Sequence, residues 1–485
     1  MPRLVLVAAA LVLLVAGVAG VLARTDGTPA GVPVVPTPPG EAAGESEPLA
    51  DPFAWDPRRA DDLVRRAAAG NSHPLYALSP GGVLASAERT ARWRPLVERA
   101  AAQANVDADT LEGLVFLESA GREDARAPGG PESATGLTQI LAETGSNLLG
   151  MRVDVAAGER YTRRLERAER RGRERRAEAL RKARARVDER FDPERALAAT
   201  ARYLVIARER LGREDLAFVS YHMGIGNLED VLTAYGSRSS YAQVYFDSTP
   251  TRHARAYRLL AAFGDDSSNY WWKVLAAREI MRLWRQDRPE LVRMNALQLA
   301  KGSAEEVLHP AAETPVYATP QDLQRAWDAG DIVPFPEDER ATGLRRHRRM
   351  GELARRIDQP AERYRGLRRS ALAMALYIGA QVRALSGQSP LVVTSTVRDG
   401  SYQTALADRN PEATKRYSLH TTGWAFDILR DYRSRRQALA FQFVLDRLRT
   451  LDAIAWVREP RAIHITVSRD AEVLLPLLER VNIDP

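Results

Sequence analysis

Apolar and polar positions divide the chain into stretches of different period. Leu4 to Leu22 is an unbroken run of 19 Leu, Val, Ala and Gly residues behind Arg3, long enough at about 1.5 Å per residue to cross a bilayer core. Residues 1–24 therefore read as a signal or transmembrane segment. The run exceeds a usual signal-peptide core and favours a retained anchor, although Val21-Leu-Ala23 also fits a cleavage site. Residues 25–52 are rich in Pro, Gly, Ala and Glu, a composition that stays extended and buries little, and read as a linker. Helical periodicity begins near Pro57. Leu111, Leu114, Val115 and Glu118 fall at i, i+3, i+4 and i+7, on one face of a helix that Asp109 and Glu112 would start as a capping box. An acid thus ends an apolar stripe.

Helical patterning continues through Trp272, Ile280 and Trp284, whose spacing reads as core packing of a joining helix. The extended segments Thr314–Pro320 and Val333–Pro336 flank a short helix, Gln321 to Ala329. Beyond residue 360 the period changes. A helix from Arg363 to Leu385, a strand from Leu391 to Val397, a strand into Asp427, a helix from Ser434 to Leu451 and strands at Ile454 and Ile463 describe a small α+β unit with an antiparallel sheet. The expected fold class is multidomain, with a mostly α N-terminal domain (53–265), a helical connector (266–360) and a small α+β C-terminal domain (361–485).

Cysteine is absent from the 485 residues, which excludes disulfides, thiol nucleophiles and cysteine metal sites. Charge is concentrated. The stretch Glu159 to Arg190 holds fourteen Lys/Arg and seven Asp/Glu, an excess equal to the +7 of the whole chain. Pairs such as Glu166/Arg170, Glu169/Arg173 and Glu178/Lys182 support a solvated helix inserted into the first domain. Its sharper reading is a contact with an anionic wall polymer or lipid headgroups. Nucleic acid is not an expected partner of an exported chain.

Ser418-Leu-His-Thr-Thr-Gly-Trp-Ala-Phe-Asp427 places an imidazole and a carboxylate seven residues apart across a glycine turn, and the strand Ala462-Ile-His464-Ile-Thr-Val467 offers a second imidazole. The other five histidines have no comparable spacing. His420, Asp427 and His464 would make three protein ligands, a set that suits one Zn²⁺ ion with its fourth position open. From about Leu367 to Ser468 the pattern resembles the zinc D-alanyl-D-alanine carboxypeptidases and dipeptidases that include the vancomycin-resistance enzymes. That resemblance implies an oxyanion-stabilising role for Arg398 and a substrate-side role for Gln403 and Ser418. It places a general base three residues before the last histidine, where this chain has Arg461. Glu459 is the nearest carboxylate, and a bulge at Pro460 would bring it to the metal.

Partial burial raises a carboxyl's pKa, as a general acid near neutral pH requires, yet a lone glutamate at a helix end more often turns outward. The succession Glu118-Ser119, Gly136-Leu-Thr-Gln139, Ala201-Arg-Tyr203-Leu204 and Ser220-Tyr221-His222-Met-Gly224 changes that, because it resembles the lytic transglycosylases of the goose-lysozyme-like superfamily. The resemblance implies that Glu118 protonates the glycosidic oxygen of peptidoglycan and then acts as base, with Ser119, Gln139 and Tyr221 at the substrate. His222 stands where that family has Asn, and Thr138 where it has a Met-like residue. No second acid stands at a motif position, Glu132 and Glu143 being loop or turn residues, so the family's route, attack by the sugar's own 6-hydroxyl to give a 1,6-anhydro product, is expected over hydrolysis.

The combined expectation is an exported, membrane-tethered peptidoglycan enzyme cutting both glycan strands and stem peptides. Two rival classes fit the same residues: a transglycosylase with a non-catalytic metal- and peptide-binding C-terminal domain, and a non-enzymatic cell-wall assembly factor.

Overall fold

The computed structural model describes residues 51–264, 266–301, 303–409 and 417–481. The expected anchor and almost all of the linker lie outside these residues, and among the described residues no helix is long and apolar enough to cross a membrane.

The helix bearing Glu118 runs Ala108–Ser119. Its N-cap is Asp107, whose carboxylate accepts from the Thr110 amide at 3.0 Å, and not Asp109 as predicted. Asp109 and Glu112 are instead the acidic half of a cluster with Arg94 and Arg285, in which Asp109 lies 2.6 Å from Arg94 and Glu112 is fully buried against both arginines. A cross-helix ion cluster has taken the residues that resembled a cap. Gly113 on this helix lets the helix Tyr270–Gln286 seat directly upon it, since a Cβ there would fall 2.7 Å from the Val274 carbonyl oxygen. The Tyr270 helix, expected in the connector, therefore packs inside the helical region, and its Trp272 is fully buried there.

The Arg-rich segment is two antiparallel helices, Val155–Arg170 and Glu174–Val187, joined by a turn at residues 171–173. Leu165, Ala168, Ala177 and Leu180 form a small core between them. The predicted Glu178/Lys182 pair forms, but Glu169 pairs with Arg181 across the hairpin and Glu166 with Arg126 in the loop that follows the Glu118 helix. A folded-back helix offers cross-hairpin partners that a single straight helix lacks. The segment ends in a buried ion pair, Arg190 with Asp188 at 2.8 Å, both 1 % exposed. Arg190 also donates to the carbonyls of Pro131, Ser133 and Ile140, bracing the loop that carries Gln139.

Seven strands follow in the C-terminal part: β1 Ile332–Pro334, β2 Leu344–Arg346, β3 Gly366–Arg368, β4 Leu391–Ser395, β5 Ala425–Leu429, β6 Ile454–Arg458 and β7 Ala462–Val467. β1 and β3 form a two-stranded antiparallel pair, and the others a five-stranded sheet in the order β2-β4-β5-β7-β6. The sheet is mixed, not wholly antiparallel, because β2 from the connector adds parallel to β4. The helix predicted from Arg363 begins at Arg369; the residues before it make a short 3₁₀ turn and β3, whose Gly366 sits against Trp327 too closely for any side chain. Helices Arg369–Ser386 and Arg435–Thr450 pack together against the sheet. The two regions share one continuous core. Arg66 donates to the Leu451 carbonyl at 2.9 Å, and Arg447 to the carbonyls of Tyr245 and Ser248.

Candidate functional sites

In the helical region, the last turn of the Ala108–Ser119 helix brings Glu118 to a cluster of aromatic hydroxyls. Tyr270 donates to Glu118 Oε1 at 2.6 Å. Tyr221 lies close by, fixed by its own donation to the Thr138 carbonyl at 2.7 Å and by Thr200 Oγ1 at 3.2 Å. Tyr203 packs edge-on against Tyr221, and His222 stacks on Tyr270 with ring centroids 5.1 Å apart. Burial pushes the Glu118 carboxyl up to about 7, against the lowering effect of the Tyr270 hydroxyl. Glu118 is therefore poised to be protonated near neutral pH, which is what donating a proton to a leaving oxygen requires.

The remaining expected residues divide. Gln139 stands in the same loop as Thr138, in a left-handed conformation (φ 52°), with its amide donating to the carbonyls of Ala125 and Gly136. Gly136 must be glycine, since its φ is +84° and a Cβ would fall 1.8 Å from the Arg190 carbonyl oxygen. The Gly-Leu-Thr-Gln motif thus acts first as a backbone fold, and it carries the Thr138 carbonyl to Tyr221. Ser119 does not line the site. It is 2 % exposed and its hydroxyl bonds back to the Val115 carbonyl, the ordinary outcome for a serine on the inner face of a helix. Glu132 and Glu143 are exposed.

In the sheet region, register does the assembly. Ser395 on β4, Asp427 on β5, His464 on β7 and Val457 on β6 are consecutive partners across the sheet, so their side chains share one face. The 3₁₀ turn Leu419–Thr422, opened by buried Ser418, lays His420 over that row. Asp427 Oδ1 is 2.9 Å from His464 Nδ1 and 3.2 Å from His420 Nε2. His420 Nδ1 faces the Thr396 carbonyl at 2.8 Å, which assigns the proton to Nδ1 and leaves Nε2 with a lone pair. His420, Asp427 and His464 each present a donor atom, all within 4.8 Å of one another, and form a group that can hold a metal ion.

Charges of both signs meet at the triad, with Asp427 and Glu305 facing His464 and Arg398. Burial pushes the His420 imidazole down to about 4, with Arg398 adding to the effect. Burial also opposes charge on His464, but its bonds to Asp427 and Glu305 push it up to about 10. Asp427 is held well below the usual carboxylate range, because both imidazoles outweigh its burial. Arg398 pairs with Asp427 Oδ2 at 3.3 Å and donates to Ser395 Oγ and to Gln403 Oε1 at 3.0 Å. Arg398 thus links Gln403 and Ser395 to Asp427. Glu459 begins a tight, unbulged hairpin in which its amide donates to the Ala462 carbonyl. No bulge at Pro460 is needed: Glu459 lies two residues beyond Val457 and opposite Ala462, hence on the face of His464.

Three contributors escape the linear sequence. Tyr270 reads as packing beside Trp271 and Trp272, Thr396 acts through a backbone carbonyl, and Glu305 lies 159 residues before the histidine it meets. Lys301 and Glu305 at i,i+4 are a visible pair, but nothing in their spacing points to β7. No protein-family model matches this chain, and a search of curated proteins finds no match.

Proposed function

We propose that the protein remodels peptidoglycan at two sites, cutting glycan strands through Glu118 and stem-peptide bonds at a zinc centre held by His420, Asp427 and His464. The observation that carries the reading is Glu118 itself, a carboxyl held by burial at about 7 beside two tyrosine hydroxyls, within motifs that resemble the lytic transglycosylases. Glu118 in its protonated form delivers the proton to the glycosidic oxygen. As the carboxylate it then withdraws the proton from the attacking 6-hydroxyl, giving a 1,6-anhydro sugar with no second acid. Tyr270 holds Glu118 in place through both steps, and Tyr221 and Gln139 shape the sugar groove.

In the sheet region His420 Nε2, the Asp427 carboxylate and His464 Nδ1 would hold the ion. Zinc, when bound there, supplies Lewis-acid activation at neutral pH. Arg398 is positioned to meet negative charge on the peptide carbonyl while neutralising Asp427. Glu459 serves as the proton acceptor from the face of His464. A second reading rests on Arg461, which occupies the position of the family's base: the sheet region then grips metal and peptide without cutting. Glu459→Gln decides between them, since unchanged release of peptide fragments would exclude Glu459 as the base.

The working place of such an enzyme is the cell wall, reached by an exported chain tethered through residues 1–24, with the basic hairpin of residues 155–187 facing anionic wall polymer or lipid. Digestion of purified sacculi tests the glycan activity: anhydro-muropeptides are expected from the wild-type protein and not from Glu118→Gln. Equal yields from both would refute the role given to Glu118.

A further inference from the structure

The short segment between the two regions is more than a tether. It places Glu305, on the one-turn helix Glu305–Leu308, against the back of His464. Glu305 is 6 % exposed. Lys301 Nζ meets its Oε1 at 2.7 Å, leaving Oε2 toward the sheet, 3.4 Å from His464 Nε2. Thr466 Oγ1, two residues along β7, lies 3.4 Å from both of those atoms. The segment is pinned just beyond: His309 Nε2 is 2.6 Å from the Val467 carbonyl oxygen, and its ring stacks on Trp424 in the loop that carries His420, with centroids 4.7 Å apart. Both histidine-bearing elements therefore hold the connector.

The two imidazoles are arranged alike. Each turns one nitrogen to Asp427 Oδ1 and the other to a fixed acceptor, the Thr396 carbonyl for His420 and the Glu305 carboxylate for His464. A ligating histidine is oriented by what accepts its second ring N–H. A buried carboxylate satisfied only by a lysine would have no reason to face β7, and Glu305 does not join the three converging donor atoms, so it stands behind the ligand and not among the ligands.

We infer that Glu305 is a positioning residue of the metal centre, a carboxylate supplied by the connector that fixes His464 with Nδ1 toward the ion and Nε2–H toward itself. The inference rests on the metal-site reading above, and one experiment separates the two. Zinc affinity of the full-length chain is measured by competition with a chromophoric chelator for wild type, His420→Ala, Glu305→Ala and the isosteric Glu305→Gln, and the His464 ring-nitrogen shifts are recorded by NMR. The expected result is binding by wild type, none by His420→Ala, a loss of about 10- to 100-fold in Glu305→Ala, and a smaller loss in Glu305→Gln, whose amide oxygen still accepts from Nε2–H. The shifts should report an Nε2–H tautomer in loaded wild type and a mixture in Glu305→Ala. A wild type that binds no zinc would overturn the metal reading. Wild-type binding that both Glu305 variants match, with unchanged tautomer, would leave the metal site standing and overturn the role of Glu305. If Glu305→Ala fails to fold, Glu305→Gln alone carries the test, and a zinc affinity equal to wild type overturns the inference.

Discussion

Glu118 is half-buried and Asp427 buried, and both lose solvation, yet their chemistry is opposite. Burial raises both carboxyls. Around Glu118 it meets only the Tyr270 hydroxyl and wins, so the group sits at about 7. Around Asp427 two imidazoles outweigh it, and the carboxylate stays ionised. Desolvation alone thus says little about what a buried acid can do. The partner set decides whether it becomes a proton donor or an anionic ligand.

The contrast can be broken most sharply by activity. Glu118→Gln should lower the rate of glycan cleavage by about 10²- to 10⁴-fold, the usual worth of a general acid, while zinc binding and peptide trimming stay at wild-type levels; loss of both activities together would mean the two sites are not independent. Stability comes next. Asp427→Asn removes the anion facing Arg398 and His464 in a buried setting and should destabilise the metal-free protein by about 3–5 kcal/mol in chemical denaturation. A midpoint within experimental error of wild type would contradict the ion-pair network described here.

Tyr270→Phe probes the one group that opposes burial at Glu118. Its hydroxyl favours the ionised form, so its loss should raise the Glu118 pKa and move the alkaline limb of the glycan-cleavage pH profile upward by roughly one to two units, from the worth of one hydrogen bond to a charged group. A downward shift would reverse the assigned sign. The smallest effect is linkage. Because the folded-state pKa of Glu118 is raised, its contribution to stability is full below the ordinary carboxyl pKa near 4.5 and is lost as pH rises through about 7. Glu118→Gln, which cannot ionise, should therefore gain about 1 kcal/mol over wild type between pH 5 and pH 8, a value reduced for the partial exposure of the side chain. The same kind of substitution is thus expected to stabilise one site and to weaken the other.

Much of this architecture was legible because period and spacing are local. The apolar stripe ending in Glu118 and the alternation around His464 both became the elements they predicted, and His420, Asp427 and His464 converge as their spacing suggested. What escaped was decided by partners distant in sequence. Asp109 and Glu112 resembled a cap until Arg285 arrived from another helix; Leu344–Arg346 is too short to read as a strand until β4 supplies its bonds. Ser119 sat in a recognisable motif yet faces inward, since one helical step of 100° separates it from Glu118. Tyr270 and Glu305 were invisible as site residues for the same reason, each needing a contact more than 150 positions away.

The most direct test of two independent sites on one chain is a mass-spectrometric digest of purified sacculi by the protein from Asp51 onward, with and without a zinc chelator. Anhydro-muropeptides in both samples, with trimmed stem peptides only in the untreated one, are the expected result. Peptide cuts that persist after confirmed metal removal, or glycan cleavage that disappears with the metal, would contradict it.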